Sequence, residues 1–169
     1  MVDIEQVLTE FRPVLGRTAA MYAPPGSDRD DMLQEIYLAL LSALPRHRGE
    51  SSLRTYVLRV AHNCGLRRVA RRRSAATPLD EGDHASPAPG PDREAQARQE
   101  VERLSAAVRE LPLGARQVLV LTLEGLSQRE IGQVLGIEEN VVSVRLHRAR
   151  SVLRERASEA PKARGAGHG

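Results

Sequence analysis

Residues 126–150 read LSQREIGQVLGIEENVVSVRLHRAR. Ser127 followed three residues later by Glu130 is the pattern of a capping box, in which each side chain accepts from the other residue's backbone N–H. It predicts a helix from Gln128. Gly136 stands just past the last apolar residues of that helix, where a left-handed residue closes the final turn. Ile137 can plug the turn, and a second helix is expected from about Glu139. A short helix, a glycine turn and a longer helix make a helix-turn-helix, whose second member enters the major groove of DNA.

The second helix has two sides. Val142, Leu146, Ala149 and Leu153 fall within one narrow arc and face the core. Ser143, Val144, His147, Arg148 and Ser151 lie opposite, with Arg145 and Arg150 flanking the buried stripe. Arginines neutralise phosphates and supply affinity without regard to sequence. Specificity comes from exposed side chains near the helix N-terminus, starting at Asn140. Val144 is either an ordinary exposed valine or an apolar contact for a thymine methyl group.

Charge is distributed to match. The chain of 169 residues carries a formal net charge of only +3. Residues 1–44 hold −4, 45–73 hold +8, 74–110 hold −4, 111–140 hold −2 and 141–169 hold +5. Two basic blocks among acidic segments suit a polyanion touched in two places. Cys64 is the one cysteine, which excludes an intrachain disulfide. The acidic N-terminus, MVDIEQVLTEF, lacks the features of a signal peptide, and no apolar run is long enough for a membrane span. The expectation is a cytoplasmic protein without membrane insertion.

Three helical patterns fill residues 1–73, in an all-α chain with no strand alternation. In the first, Ile4, Val7, Leu8, Phe11, Val14 and Leu15 share a face, and Pro13 is expected to kink or interrupt it. Ser27 or Asp28 can cap the second, whose face is Met32, Leu33, Ile36, Leu40 and Leu44, stopped by Pro45. The third carries Leu53, Val57, Val60, Ala61 and Cys64. Its stripe fails at Arg68 with Gly65 between, so a break near residues 62–65 is expected, then a short arginine-rich helix. Residues 74–92 hold four prolines, two glycines and four acids, and read as a flexible acidic linker. A second helical domain is expected over 93–157, capped by Asp92 and with Leu104, Val108 and Leu111 on one face, before a disordered tail at 158–169.

Residues 28–73, DRDDMLQEIYLALLSALPRHRGESSLRTYVLRVAHNCGLRRVARRR, closely resemble region 2 of the extracytoplasmic-function (ECF) sigma factors of bacterial RNA polymerase. LSQREIGQVLGI and SVRLHRAR resemble region 4 of the same family. The resemblance spans nearly the whole chain, in order, with a linker between. It implies a promoter-specificity subunit that binds core polymerase, at the β′ clamp helices and the β flap, and performs no covalent chemistry. By the same resemblance Asp31, Gln34 and Glu35 bind the clamp helices. Arg54, Tyr56, Asn63, Arg67, Arg68, Arg71 and Arg72, with Arg73 beside them, address the minus-ten element. There a base is captured in a loop that maps to the expected break, with Asn63 offering donor and acceptor to its edge. Asn140, Ser143, Val144, Arg145, His147 and Arg148 address the minus-thirty-five element. An anti-sigma factor is a further partner that the family implies.

The chain departs from the family pattern in places. Tyr56 replaces a tryptophan, Leu53 a phenylalanine and His47 an aromatic, which leaves less base stacking. In the recognition helix Val141-Val142-Ser143-Val144-Arg145 stands where the family has Thr-Val-Lys-Ser-Arg. His62-x-Cys64 matches no zinc spacing, and Cys64 reads as a buried structural thiol, so neither metal nor cofactor is expected. The alternative is a stand-alone helix-turn-helix regulator that needs no polymerase; DDMLQEIY with GESSLRTY argues against it, because such a regulator does not require the additional basic block at 45–73.

Overall fold

The computed structural model describes residues 4–23, 27–75 and 103–159. Its helices are α1 (Ile4–Tyr22), α2 (Ser27–Ala43), α3 (Leu53–Ala75), α4 (residues 103–110), α5 (Leu113–Leu123), α6 (Gln128–Leu135) and α7 (Glu139–Glu159), with a 3₁₀ turn at Leu44–Arg46. The expected linker falls almost wholly outside these residues, as do Asp92 and most of the tail.

Helices α1, α2 and α3 pack pairwise into a bundle. Their inward residues follow the 3.6-residue period: Val7, Phe11 and Leu15 from α1, Met32, Ile36 and Leu40 from α2, and Val57, Ala61 and Cys64 from α3. Full burial of each large aliphatic side chain stabilises the bundle by about 1.5–3 kcal/mol. Helix α1 runs through Pro13 without interruption, although that ring withholds an N–H from the carbonyl of Thr9. Ser52 caps α3: its hydroxyl accepts from the Thr55 N–H at 3.1 Å. In the second half, α5, α6 and α7 enclose Val118, Leu121, Ile131, Val134, Val142 and Leu146. Leu104 does not join them; it is exposed, whereas Val108 is half-buried against the core and Leu111, just past α4, is fully buried.

The break expected at residues 62–65 does not exist: α3 is one helix from Leu53 to Ala75. Gly65 serves a different purpose. A Cβ at that position would lie well inside 3.0 Å of three ring carbons of Tyr22, so the missing side chain is the seat for the tyrosine ring. The stripe read from sequence is also only one of two. Thr55, Leu58 and His62, at i, i+3 and i+7, are buried as well, and α3 packs against α6 in addition to α1 and α2. A helix covered on two sides has no single apolar face.

This second burial joins the halves of the chain. The Gln117 amide on α5 donates to the Tyr22 hydroxyl at 2.6 Å. The Tyr22 hydroxyl in turn shares a hydrogen bond with Nδ1 of His62, 2.8 Å away. All three side chains are buried. Burial raises the Tyr22 pKa and pushes that of His62 down to about 4. Nearby, Arg116 donates to the Met21 carbonyl at 3.2 Å, and Arg17 forms a two-bonded ion pair with Glu124.

Gly65→Ala is expected to destabilise the fold by about 1–3 kcal/mol through overpacking, although alanine is the better helix former by roughly 0.5–1 kcal/mol. Denaturant melts check it, and a stabilised Gly65→Ala protein refutes the seat. A second expectation concerns pH. Below about 6.5 the unfolded chain protonates His62 while the folded one does not, so stability falls on acidification. The loss accumulates between pH 6.5 and about 4, to about 3 kcal/mol at most. Melts of the protein and of His62→Gln across that range should show a flatter pH slope in the variant.

Candidate nucleic-acid interface

The helix-turn-helix forms as its local sequence dictates. The Ser127 N–H donates to Glu130 Oε2 at 2.8 Å, and the Glu130 N–H donates to Ser127 Oγ at 3.3 Å. The bonds from Ser127, backbone N–H first, hold the Glu130 carboxyl below the usual carboxylate range. Gly136 adopts φ 67°, the left-handed conformation that ends α6. Helix α7 then buries Val142, Leu146 and Ala149. Asn140, Ser143, Val144, His147, Arg148 and Arg150 are exposed together on its other side, with Val144 half open to solvent. Arg145 is half-buried and lies across Gly114 of α5, where a Cβ would stand 2.9 Å from its Nη1. A surface of this kind presents donors, one apolar side chain and cations that have no ion-pair partner among the described residues.

The first basic block is organised differently. Arg68 donates to Glu35 at 2.5 Å and to Asp28 at 3.2 Å, Arg71 to Glu35 at 2.8 Å, and Arg72 to Asp28 at 2.7 Å. Arg72 and then Arg68 hold the Asp28 carboxyl below its usual range. Arg54 donates to the backbone carbonyl of Glu124. The Tyr56 hydroxyl donates to the Ala43 carbonyl at 2.9 Å, with the His47 ring centred 4.7 Å away and the Arg59 guanidinium 5.5 Å from the ring centre. Asn63, Arg67 and Arg73 project from α3 into solvent, and no polar partner holds them among the described residues. Asn63 stands on continuous helix, so the base-capture loop expected around it is absent at that place.

The three residues assigned to polymerase lie along α2 in two different settings. Asp31 and Gln34 are exposed, whereas Glu35 turns to Arg68 and Arg71. The exposed face of α2 instead continues through Leu38 and Leu41, at i+7 and i+10 from Asp31. Sequence reasoning missed both leucines. Their signal was present: two large apolar residues off the Met32–Ile36–Leu40 stripe have no core to enter.

Known proteins complete the picture. The model of Sigma-70 region 2 matches residues 7–75, and that of Sigma-70 region 4 matches residues 101–153. RNA polymerase sigma factor CnrH of Cupriavidus metallidurans is 30% identical over 158 residues, covering 88% of this chain and 83% of CnrH. The chain belongs to the ECF RNA polymerase sigma factors. ECF sigma factor ShbA of Streptomyces griseus is 33% identical over 145 residues, 80% of this chain and 76% of ShbA. The structure of CnrH in complex with the cytosolic domain of CnrY superposes with a TM-score of 0.67 at 27% identity, over 92% of this chain and 87% of that one. Sigma factor RpoE of Bartonella quintana, solved with the anti-sigma factor NepR, shares the fold with a TM-score of 0.70 at 16% identity, over 92% and 97% of the two chains.

The sigma factor is therefore a non-enzymatic subunit that binds core RNA polymerase and directs transcription initiation. Among the described residues no cluster of three or more His, Cys, Asp or Glu side chains could hold a metal, and no helix is long and apolar enough to cross a membrane.

The ion pairs around Arg68 separate structure from surface. With its side chain 12% exposed, Arg68 would lose its nearest carboxylate in Glu35→Ala, for a destabilisation of about 2 kcal/mol after allowance for solvent at Glu35. Asp31→Ala in the sigma factor should leave the melting temperature unchanged within about 1 °C. Equal melting temperatures for both variants would show that the Glu35 pair contributes nothing.

Proposed function

We propose that this sigma factor divides promoter recognition between its two basic blocks. Helix α7 enters the major groove of the duplex minus-thirty-five element. Ser143, Val144 and His147 face base edges there, while Arg148, Arg145 and Asn140 fix the helix against the backbone. The C-terminal half of α3 takes the minus-ten element. Asn63 offers an amide to an extruded base, Arg67 holds the strand, and Arg54, Arg68, Arg71 and Arg72 join once their present partners are displaced. Asp31, Gln34 and Glu35, with Leu38 and Leu41 beside them, meet the β′ clamp helices, and region 4 meets the β flap. The protein works in the cytoplasm, where an anti-sigma factor can hold it; the RpoE–NepR complex supports that last reading by analogy of fold.

The observation that carries the proposal is the exposed arc of α7: Ser143, Val144, His147 and Arg148 turned outward from a helix whose opposite side is fully packed. A promoter is first obtained by transcription in vitro with core polymerase and mapping of start sites. Arg148→Ala should then weaken binding to duplex carrying the upstream element roughly tenfold, the equivalent of about 1.4 kcal/mol. Asn63→Ala should leave that duplex binding nearly intact and lower open-complex formation, measured by permanganate reactivity. A pre-melted bubble restores the second variant only in part, because the base contact is still missing. Equal loss of duplex binding in the two variants would sink the division of labour.

A further inference from the structure

We propose that Val144 reads a methyl group: the upstream element carries a thymine whose C5-methyl packs against this valine in the major groove. The inference rests on the assignment of α7 to the duplex minus-thirty-five element, and adds to it one base of that element.

Val144 lies in the second turn of α7, in the N-terminal part that a recognition helix brings to base edges. It is 50% exposed, with Asn140 one turn before it, Arg148 one turn after and His147 beside it. The core has no use for this side chain, because Val142, Leu146 and Ala149 take the packed side of the helix. Valine is also a poorer helix former than alanine, so at an exposed position it serves neither packing nor helix stability. Val152, the other exposed apolar side chain of α7, has a different setting: it lines a groove with Leu111 and Ala115. Val141, one turn before Val144, is half-buried and adds little apolar surface. A patch of this size cannot seat a protein partner, whose stable interface takes about 800 Å² from each side.

It does match one chemical group of the major groove. Thymine presents a methyl there, whereas guanine, cytosine and adenine present donors and acceptors. A valine laid over those polar atoms would strip them of water and return no hydrogen bond. Stiffness helps as well. Branching at Cβ leaves valine one strongly preferred rotamer in a helix, so little side-chain freedom is lost on docking. The adenine opposite has no reader of comparable quality at Asn140. A bidentate contact to adenine uses both amide atoms, and Oδ1 of Asn140 already accepts from the Val141 N–H at 2.7 Å. The remaining NH2 is a donor and suits a phosphate. Discrimination of the A·T pair therefore falls to Val144, from the thymine side.

The test is a methyl scan of the promoter. Start sites are mapped with holoenzyme, and each thymine of the upstream element is replaced singly by uracil, which removes the methyl and keeps the base pair. Binding of holoenzyme to each duplex is measured by competition. One replacement should weaken binding about fourfold, the effect of one apolar carbon lost from a buried contact. In holoenzyme carrying Val144→Ala the same replacement should have no effect, while the other thymines behave as before. Cytosine at the sensitive position should weaken binding about tenfold or more. Methylating that cytosine at C5 should recover about threefold with Val144 present and nothing in Val144→Ala. An upstream element with no thymine that responds to uracil overturns the proposal. So does a sensitive thymine that stays equally sensitive in Val144→Ala. If Val144→Ala and Arg148→Ala both leave duplex binding unaltered, the assignment of α7 to this element is what falls.

Discussion

Helix α3 is the constraint from which the other packing relations follow. It contributes Val57, Ala61 and Cys64 to the α1–α2 bundle and Thr55, Leu58 and His62 to a second buried stripe, while α6 lies against it as well. Such a helix must be continuous, and must lack a side chain where a neighbour's ring lies against its backbone. Gly65 meets the last condition by making room for the ring of Tyr22. Because the ring is seated there, its hydroxyl points to both His62 and Gln117, and the two halves acquire a shared polar centre. A residue with no side chain therefore fixes the relation between domains that sequence analysis treats as separate.

What was legible in the sequence is what local rules determine. The helix-turn-helix could be read because its signals lie within 25 residues: a cap at Ser127 and Glu130, a left-handed Gly136 and the Val142–Leu146–Ala149 period. The two-domain, all-helical class and the family followed from the order of motifs. The continuity of α3 was not legible, since Gly65 reads locally as a breaker and its reason, Tyr22, is 43 positions earlier. The second stripe was hidden for a related cause: Arg54, Arg59 and Arg67 interrupt any simple apolar pattern on α3, and only tertiary contact reveals Thr55 and His62 as buried. Leu104 shows the reverse error, an apolar position at the right spacing with no core beneath it.

The candidate site divides along the same line. Exposure on α7 was predictable from the wheel, because one helix and one core decide it. The fate of the arginines on α3 was not, because their partners Asp28 and Glu35 belong to α2 and lie more than thirty positions away. Residues assigned from sequence to two different binding partners thus turn out to bind each other.

That pairing changes how the α3 block responds to its surroundings. Moving Arg68, Arg71 or Arg72 onto a phosphate is an exchange of one anion for another, and it leaves Asp28 and Glu35 to gather small cations from solution. Cations shed by the nucleic acid are then taken up again by the protein. Engagement through these three side chains is nearly neutral in ions exchanged with the medium, whereas engagement through Arg148 on α7 is not. On the proposed division of labour, contacts through these three ion-paired arginines depend less steeply on ionic strength than contacts through Arg148 on α7.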